Sequence, residues 1–132
     1  MLLDIRHNAL TKDIIGCAMR VHSTLGHGFP EVIYQRSMAV ELESTGFLFS
    51  REIHLPVYYK GVEMGARRAD FLVEKTVLIE LKATATLDKS HYAQIINYLT
   101  AFQLEVGLLI NFGEPSLTFK RFLKNHSSDR LQ

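Results

Sequence analysis

Residues 67–84 read RRADFLVEKTVLIELKAT, and the second half of this stretch decides the fold. Val77 to Ala83 is a short, nearly continuous apolar run rich in branched residues, the pattern of a β-strand covered on both faces. Side chains alternate along a strand, so Val77, Ile79 and Leu81 share one face while Leu78, Glu80 and Lys82 share the other. Charged side chains are rarely buried unless they are paired or bound to a metal. Two readings fit the strand taken alone. Either it is an edge with a wet face whose two charges neutralise one another, or that face opens on a site that needs both.

The preceding segment, Ala66 to Val73, reads as another strand, and only Glu74, Lys75 and Thr76 separate the two. That is a hairpin-length loop. An antiparallel hairpin sets Asp70 level with Glu80 and Lys82 and on their face. Two carboxylates converging with an ammonium are costly to hold together unless a cation sits between them. Mg²⁺ takes oxygen ligands, often one or two carboxylates with waters and substrate phosphate. A metal there lowers the pKa of a bound water and neutralises charge on a phosphate, and Lys82 stands ready to contact either. Asp followed by Glu-x-Lys is thus a set of groups suited to metal-assisted phosphodiester cleavage.

Asp70 with Glu80-Leu81-Lys82 resembles the PD-(D/E)xK nuclease signature, with Ala69 where that signature has Pro. Two further elements resemble the GxxExxY family of small PD-(D/E)xK-like proteins. Gly28-Phe29-Pro30-Glu31-Val32-Ile33-Tyr34 matches G-x-x-E-x-x-Y, and Gln94 with Tyr98 matches the Q-x-x-x-Y element of exonuclease-type members. The resemblance runs from about Ile14 to Lys124. It implies a restriction-endonuclease-like α/β core. It also implies a Mg²⁺ or Mn²⁺ site formed by Glu31, Asp70 and Glu80 with the carbonyl of Leu81, and a catalytic Lys82. Gln94 and Tyr98 would support a nucleic-acid substrate. The same family pattern is compatible with an inactive module that binds nucleic acid or protein and keeps only the fold.

Each of these residues has a plainer reading. Glu31 in a first helical turn is favoured by the helix dipole alone. Tyr34 suits an ordinary core position. Gln94 and Tyr98, four apart on one helix face, suit a solvated polar stripe. Arg67 and Arg68 suit surface salt bridges, with a phosphate contact as the alternative. The basic and aromatic residues alternating over Phe119 to Asn125 fit stacking on single strands or an amphipathic edge strand.

The 132 residues fit one domain with a core of its own. Hydrophobic residues make up 47% and charged residues 22%, the balance of a soluble globular chain. The formal net charge of +1 argues against strong non-specific affinity for duplex, which comes from many phosphate contacts. Cys17 is the only cysteine, so a reducing, cytoplasmic setting is expected and Cys17 reads as core. Met1 to Asn8 carries Asp4, Arg6 and His7, unlike a signal peptide. His22, His27, His54 and His91 have no standard metal spacing. No Gly-rich phosphate loop and no G-x-S-x-G motif occurs, which argues against kinases, nucleotide-fold enzymes and serine hydrolases.

The expected element order is α-α-β-β-β-α-β-β, a mixed β-sheet flanked by helices. Helices are expected from Thr11, as N-cap, to Leu25; from Pro30, as first helical residue, to Thr45; and over Thr86 to Glu105. The last of these should carry Tyr92, Ile95, Ile96, Leu99 and Phe102 on its apolar face. A strand from Phe47 should bend near Pro56 and turn over Lys60 to Gly65. Strands at Val106–Phe112 and Leu117–Leu123 follow, with a frayed tail from about His126. A homodimer through an edge strand, or a partner protein, is compatible with so small a sheet.

Overall fold

The computed structural model describes residues 2–124, with side chains from His7 onward. Eight elements follow in the expected order: α1 (Leu2–Leu25), α2 (Glu31–Thr45), β1 (Phe49–Tyr59), β2 (Val62–Val73), β3 (Val77–Lys82), α3 (Lys89–Ala101), β4 (Val106–Asn111) and β5 (Thr118–Leu123). The strands form one mixed sheet in the order β1-β2-β3-β4-β5. Neighbours are antiparallel except β3 and β4. A parallel pair needs a crossover, and α3 supplies it.

The sheet has a core on each face, which is why β3 and β4 are apolar on both sides. On one face, Cys17 and Val21 of α1 and Tyr34 and Met38 of α2 pack on Ile79 and Leu81. On the other, Ile95 and Leu99 of α3 pack on Leu78 and Leu109. Gly107 lets α3 lie close: a Cβ there would come within 2.9 Å of the Ile95 side chain. Among the described residues, no helix is long and apolar enough to cross a membrane.

Several boundaries differ from expectation. α1 begins at Leu2, and Thr11 is an interior residue whose hydroxyl donates back to the Asn8 carbonyl (3.2 Å) instead of capping. Pro30 is the N-cap of α2, with extended backbone (φ −63°, ψ 153°), rather than its first residue. The turn after β1 is only Lys60–Gly61, both at positive φ (51° and 79°), the two-residue geometry that suits strand twist. β1 and β2 are longer for it. α3 starts at Lys89 because Asp88 caps it: its carboxylate accepts from the Ser90 and His91 N–H groups, and His91 Nδ1 accepts from the Asp88 N–H. His91 is thereby a capping residue. Ile96 is exposed, so the apolar face of α3 is narrower than its periodicity suggests. The expected frayed tail lies outside the described residues.

Candidate active site

Asp70 sits in a gap in the sheet. The β2–β3 ladder stops at Phe71↔Ile79, one residue short of Asp70 and Glu80. The β1–β2 ladder skips the position opposite Asp70, where Glu52 has a φ of 51°. A positive φ is uncommon for a residue with a side chain and strains the backbone. Both strands change face at this level. Phe49 and Phe71 belong to the core under α1 and α2, whereas Ile53 and Ala69, further along the same strands, belong to the core under α3.

Backbone N–H groups released by such a gap need new acceptors, and here the carboxylates provide them. The Asp70 N–H donates to Glu80 Oε1 (3.1 Å), and the Leu81 N–H donates to Asp70 Oδ2 (2.7 Å). Gln35 of α2 donates to Asp70 Oδ1 (2.7 Å). The two acids are thus locked side by side across the hairpin. An ionised carboxylate has about four acceptor sites, so both retain free lone pairs.

Both carboxyls of the pair are harder to ionise than an exposed acid. Glu80 is 5% exposed. Burial first, then the charge of Asp70, push its carboxyl up to about 8, against the lowering effect of Lys82. Burial also raises Asp70, while the bonds from Leu81 and Gln35 and the charge of Lys82 hold it down. Glu31 is raised by desolvation and by Asp70, and Lys82 opposes that shift too. Lys82 therefore stands close enough to act on all three carboxyls. Its place is fixed through the backbone, because the Phe112 N–H donates to its carbonyl (2.8 Å).

Glu31 stands at the exposed rim, on the first turn of α2. The residues around it explain the G-x-x-E-x-x-Y spacing. Gly26 and Gly28 turn at φ 71° and 108°. The buried Tyr34 closes that turn by donating its hydroxyl to the Gly26 carbonyl (2.6 Å) and accepting from the Phe29 N–H (3.3 Å). Its ring stacks on Phe112, with centroids 4.6 Å apart. Tyr34 positions the turn that carries Glu31.

The donor set suits a hard cation held by two carboxylates with waters or phosphate oxygens. A three-carboxylate cage is not closed: among the described residues, no three His, Cys, Asp or Glu side chains form a group able to hold a metal ion. Glu31 joins Asp70 and Glu80 electrostatically but not as a third member of such a group.

Gln94 and Tyr98 do share a face of α3, and Gln94 Nε2 donates to the Tyr98 hydroxyl (2.8 Å). They line a cleft of about 720 Å³ between α3 and the outer half of the β1–β2 hairpin. Lys82 is not among its lining residues. The link to the acids is Tyr98, whose hydroxyl is raised by burial first and also by the charge of Glu80.

Two site residues escape sequence reasoning, Gln35 and Glu52, which both act on Asp70; Arg67, expected as a surface salt bridge or a phosphate contact, lies beside the Tyr98 hydroxyl. Gln35 is one turn beyond Glu31, a spacing that could have marked it. Glu52 and Arg67 depend on strand pairing, which the sequence does not display.

A five-stranded mixed sheet between helices, with paired carboxylates and a lysine across its central hairpin, defines a nuclease-like domain. The chain belongs to the PD-(D/E)XK nuclease superfamily, whose family model matches residues 8–122. Nucleases of this superfamily generally use divalent metal ions. Among solved structures, the protein crystallised as SSO0001 is similar at 22% identity and a TM-score of 0.49, over 87% of this chain and 66% of that one. An alkaline exonuclease from Laribacter hongkongensis is similar at 15% identity and a TM-score of 0.47, over 66% of this chain and 52% of that one. The chain thus spans less than two thirds of either structure's length. No curated protein matches it.

Proposed function

We propose that this domain is a Mg²⁺- or Mn²⁺-dependent nuclease of the GxxExxY type that hydrolyses phosphodiester bonds of nucleic acid. The observation that carries the reading is the Asp70–Glu80 pair. A buried carboxylate and a half-buried one are pinned together across a break in the sheet, the buried one raised to about 8. A bound cation would supply a counter-charge, an acidified water and neutralisation of the scissile phosphate. Asp70 and Glu80 would hold it, with Glu31 and the Leu81 carbonyl as further ligands. Lys82 would stabilise charge on the phosphate in the transition state or orient the attacking water. Gln94 and Tyr98 would position the substrate strand. Cys17, buried and unpaired, suits a reducing cytoplasm.

A second reading, a nuclease-fold module that binds without cleaving, draws support from Glu31 standing at the exposed rim and not grouped with Asp70 and Glu80. The two separate in a cleavage assay on single- and double-stranded DNA and RNA with Mg²⁺, Mn²⁺ or chelator. The nuclease reading expects metal-dependent cleavage of at least one substrate. Lys82→Ala should lower that rate about 10²–10³-fold while metal binding persists. Metal binding without cleavage of any substrate, and a Lys82→Ala protein unchanged throughout, favour the module.

A further inference from the structure

We propose that the cleft between α3 and the β1–β2 hairpin receives unstacked bases of single-stranded nucleic acid and feeds that strand to the acidic pair. The inference rests on the nuclease reading of that pair and adds its substrate class. The cleft is about 720 Å³, within the roughly 300–1,000 Å³ typical of small-ligand sites. That is room for a nucleotide or two and not for a duplex. Its walls offer what bases need. Tyr58 and Phe102 present aromatic surface, Gln94 and Asn97 present amides, and Arg67 presents a cation for the connecting phosphate. On the helix side, Ala93 is small and leaves the space open.

Two observations select this occupant over a protein side chain. The first is continuity with the site. The cleft is lined by Arg67, on the same strand as Asp70 and just ahead of it, and by Gln94, which donates to the Tyr98 hydroxyl. A strand whose bases enter here brings its backbone toward the carboxylates. The second is charge. A chain of net charge +1 has little general attraction for the phosphates of a duplex. Stacking on aromatic side chains is the alternative source of affinity, and it is sequence-tolerant and specific to unpaired bases. The outer hairpin supplies that surface, with Tyr58 61% exposed.

The test is fluorescence anisotropy with short labelled oligonucleotides, single-stranded and duplex, in chelator so that nothing is cleaved. Wild-type protein should bind the single strand more tightly than the duplex. Tyr58→Ala, at an exposed position remote from the acids, should weaken single-strand binding by roughly ten-fold, within the range for one lost base stack. Ala93→Phe, which fills the cleft, should do the same or more. Val40→Ala, at an exposed position on α2 away from the cleft, should leave binding unchanged, and circular dichroism should show all variants folded. Equal binding of duplex, no binding of either, or indifference to both cleft variants overturns the proposal. So does a dimer in sedimentation that Ala93→Phe abolishes, which would make a second copy the occupant. Metal-dependent cleavage surviving in a protein without single-strand preference refutes the cleft and leaves the nuclease reading standing. Single-strand binding without any cleavage does the reverse.

Discussion

Replacing Glu80 with Gln should stabilise the metal-free protein, and the gain should depend on pH. Glu80 is buried beside Asp70, and its carboxyl moves from 4.5 to about 8 on folding. At 1.36 kcal/mol for each tenfold change in proton affinity, that displacement corresponds to about 5 kcal/mol. The sign follows from which state holds the proton. Between these values the folded chain keeps a proton that the unfolded chain has released, so stability falls as pH rises. The penalty is absent below about pH 4.5, reaches about 3 kcal/mol at pH 7 and levels off near 5 kcal/mol above pH 8. Glu80→Gln keeps the oxygen that accepts from the Asp70 N–H and carries no charge. Urea denaturation in chelator, from about pH 5 to about pH 9, should therefore show wild type losing stability while the variant loses much less. Saturating Mg²⁺ should restore wild type alone, because it binds the folded state. Parallel stability curves for the two proteins across this range would refute the burial argument for Glu80.

Three other substitutions probe the supports of the site. Gly113→Ala would drive a Cβ into the Thr84 backbone, so thermal melting should report a loss of about 1–3 kcal/mol or more from overpacking. Tyr34→Phe keeps the stack on Phe112 but removes the hydroxyl that bonds the Gly26 carbonyl and Phe29 N–H, and should cost about 0.5–1.5 kcal/mol in the same measurement. Gln35→Met removes a hydrogen bond that holds Asp70 down, so the Asp70 carboxyl, followed by NMR titration, should move further up.

The hairpin frame was legible because three residues between two apolar runs leave few registers, and only one puts Asp70 opposite Glu80. The extent of α2 was legible too, since Pro30 and Gly46 bracket it, although Pro30 caps the helix instead of opening it. What the sequence concealed is the break in the ladder at Glu52 and Asp70. A regular strand would keep Phe71 and Ala69 on one face, and they lie in different cores. On the neighbouring β1 the same level is marked by φ 51° at Glu52, to which no glycine draws attention. The start of α1 was missed because Thr11 is a good capping residue on its own terms. Its hydroxyl is instead spent inside a helix extended by the residues before it. The cleft beside Gln94 was invisible for another reason: its second wall comes from the hairpin, some thirty residues earlier in the chain, with Tyr58 and Arg67 meeting α3 only in the fold.

The central claim is that Asp70 and Glu80 together form a divalent-cation site, and calorimetric titration of Mg²⁺ and Mn²⁺ near neutral pH tests it most directly. Wild-type protein should bind the ion and release a proton as it does so, because Glu80 must ionise to become a ligand. The release is read from the dependence of the heat on buffer. Asp70→Asn, which keeps the shape and removes a charge, should lose most of that affinity. Absence of binding in wild type, or binding that Asp70→Asn leaves unchanged, would contradict the account.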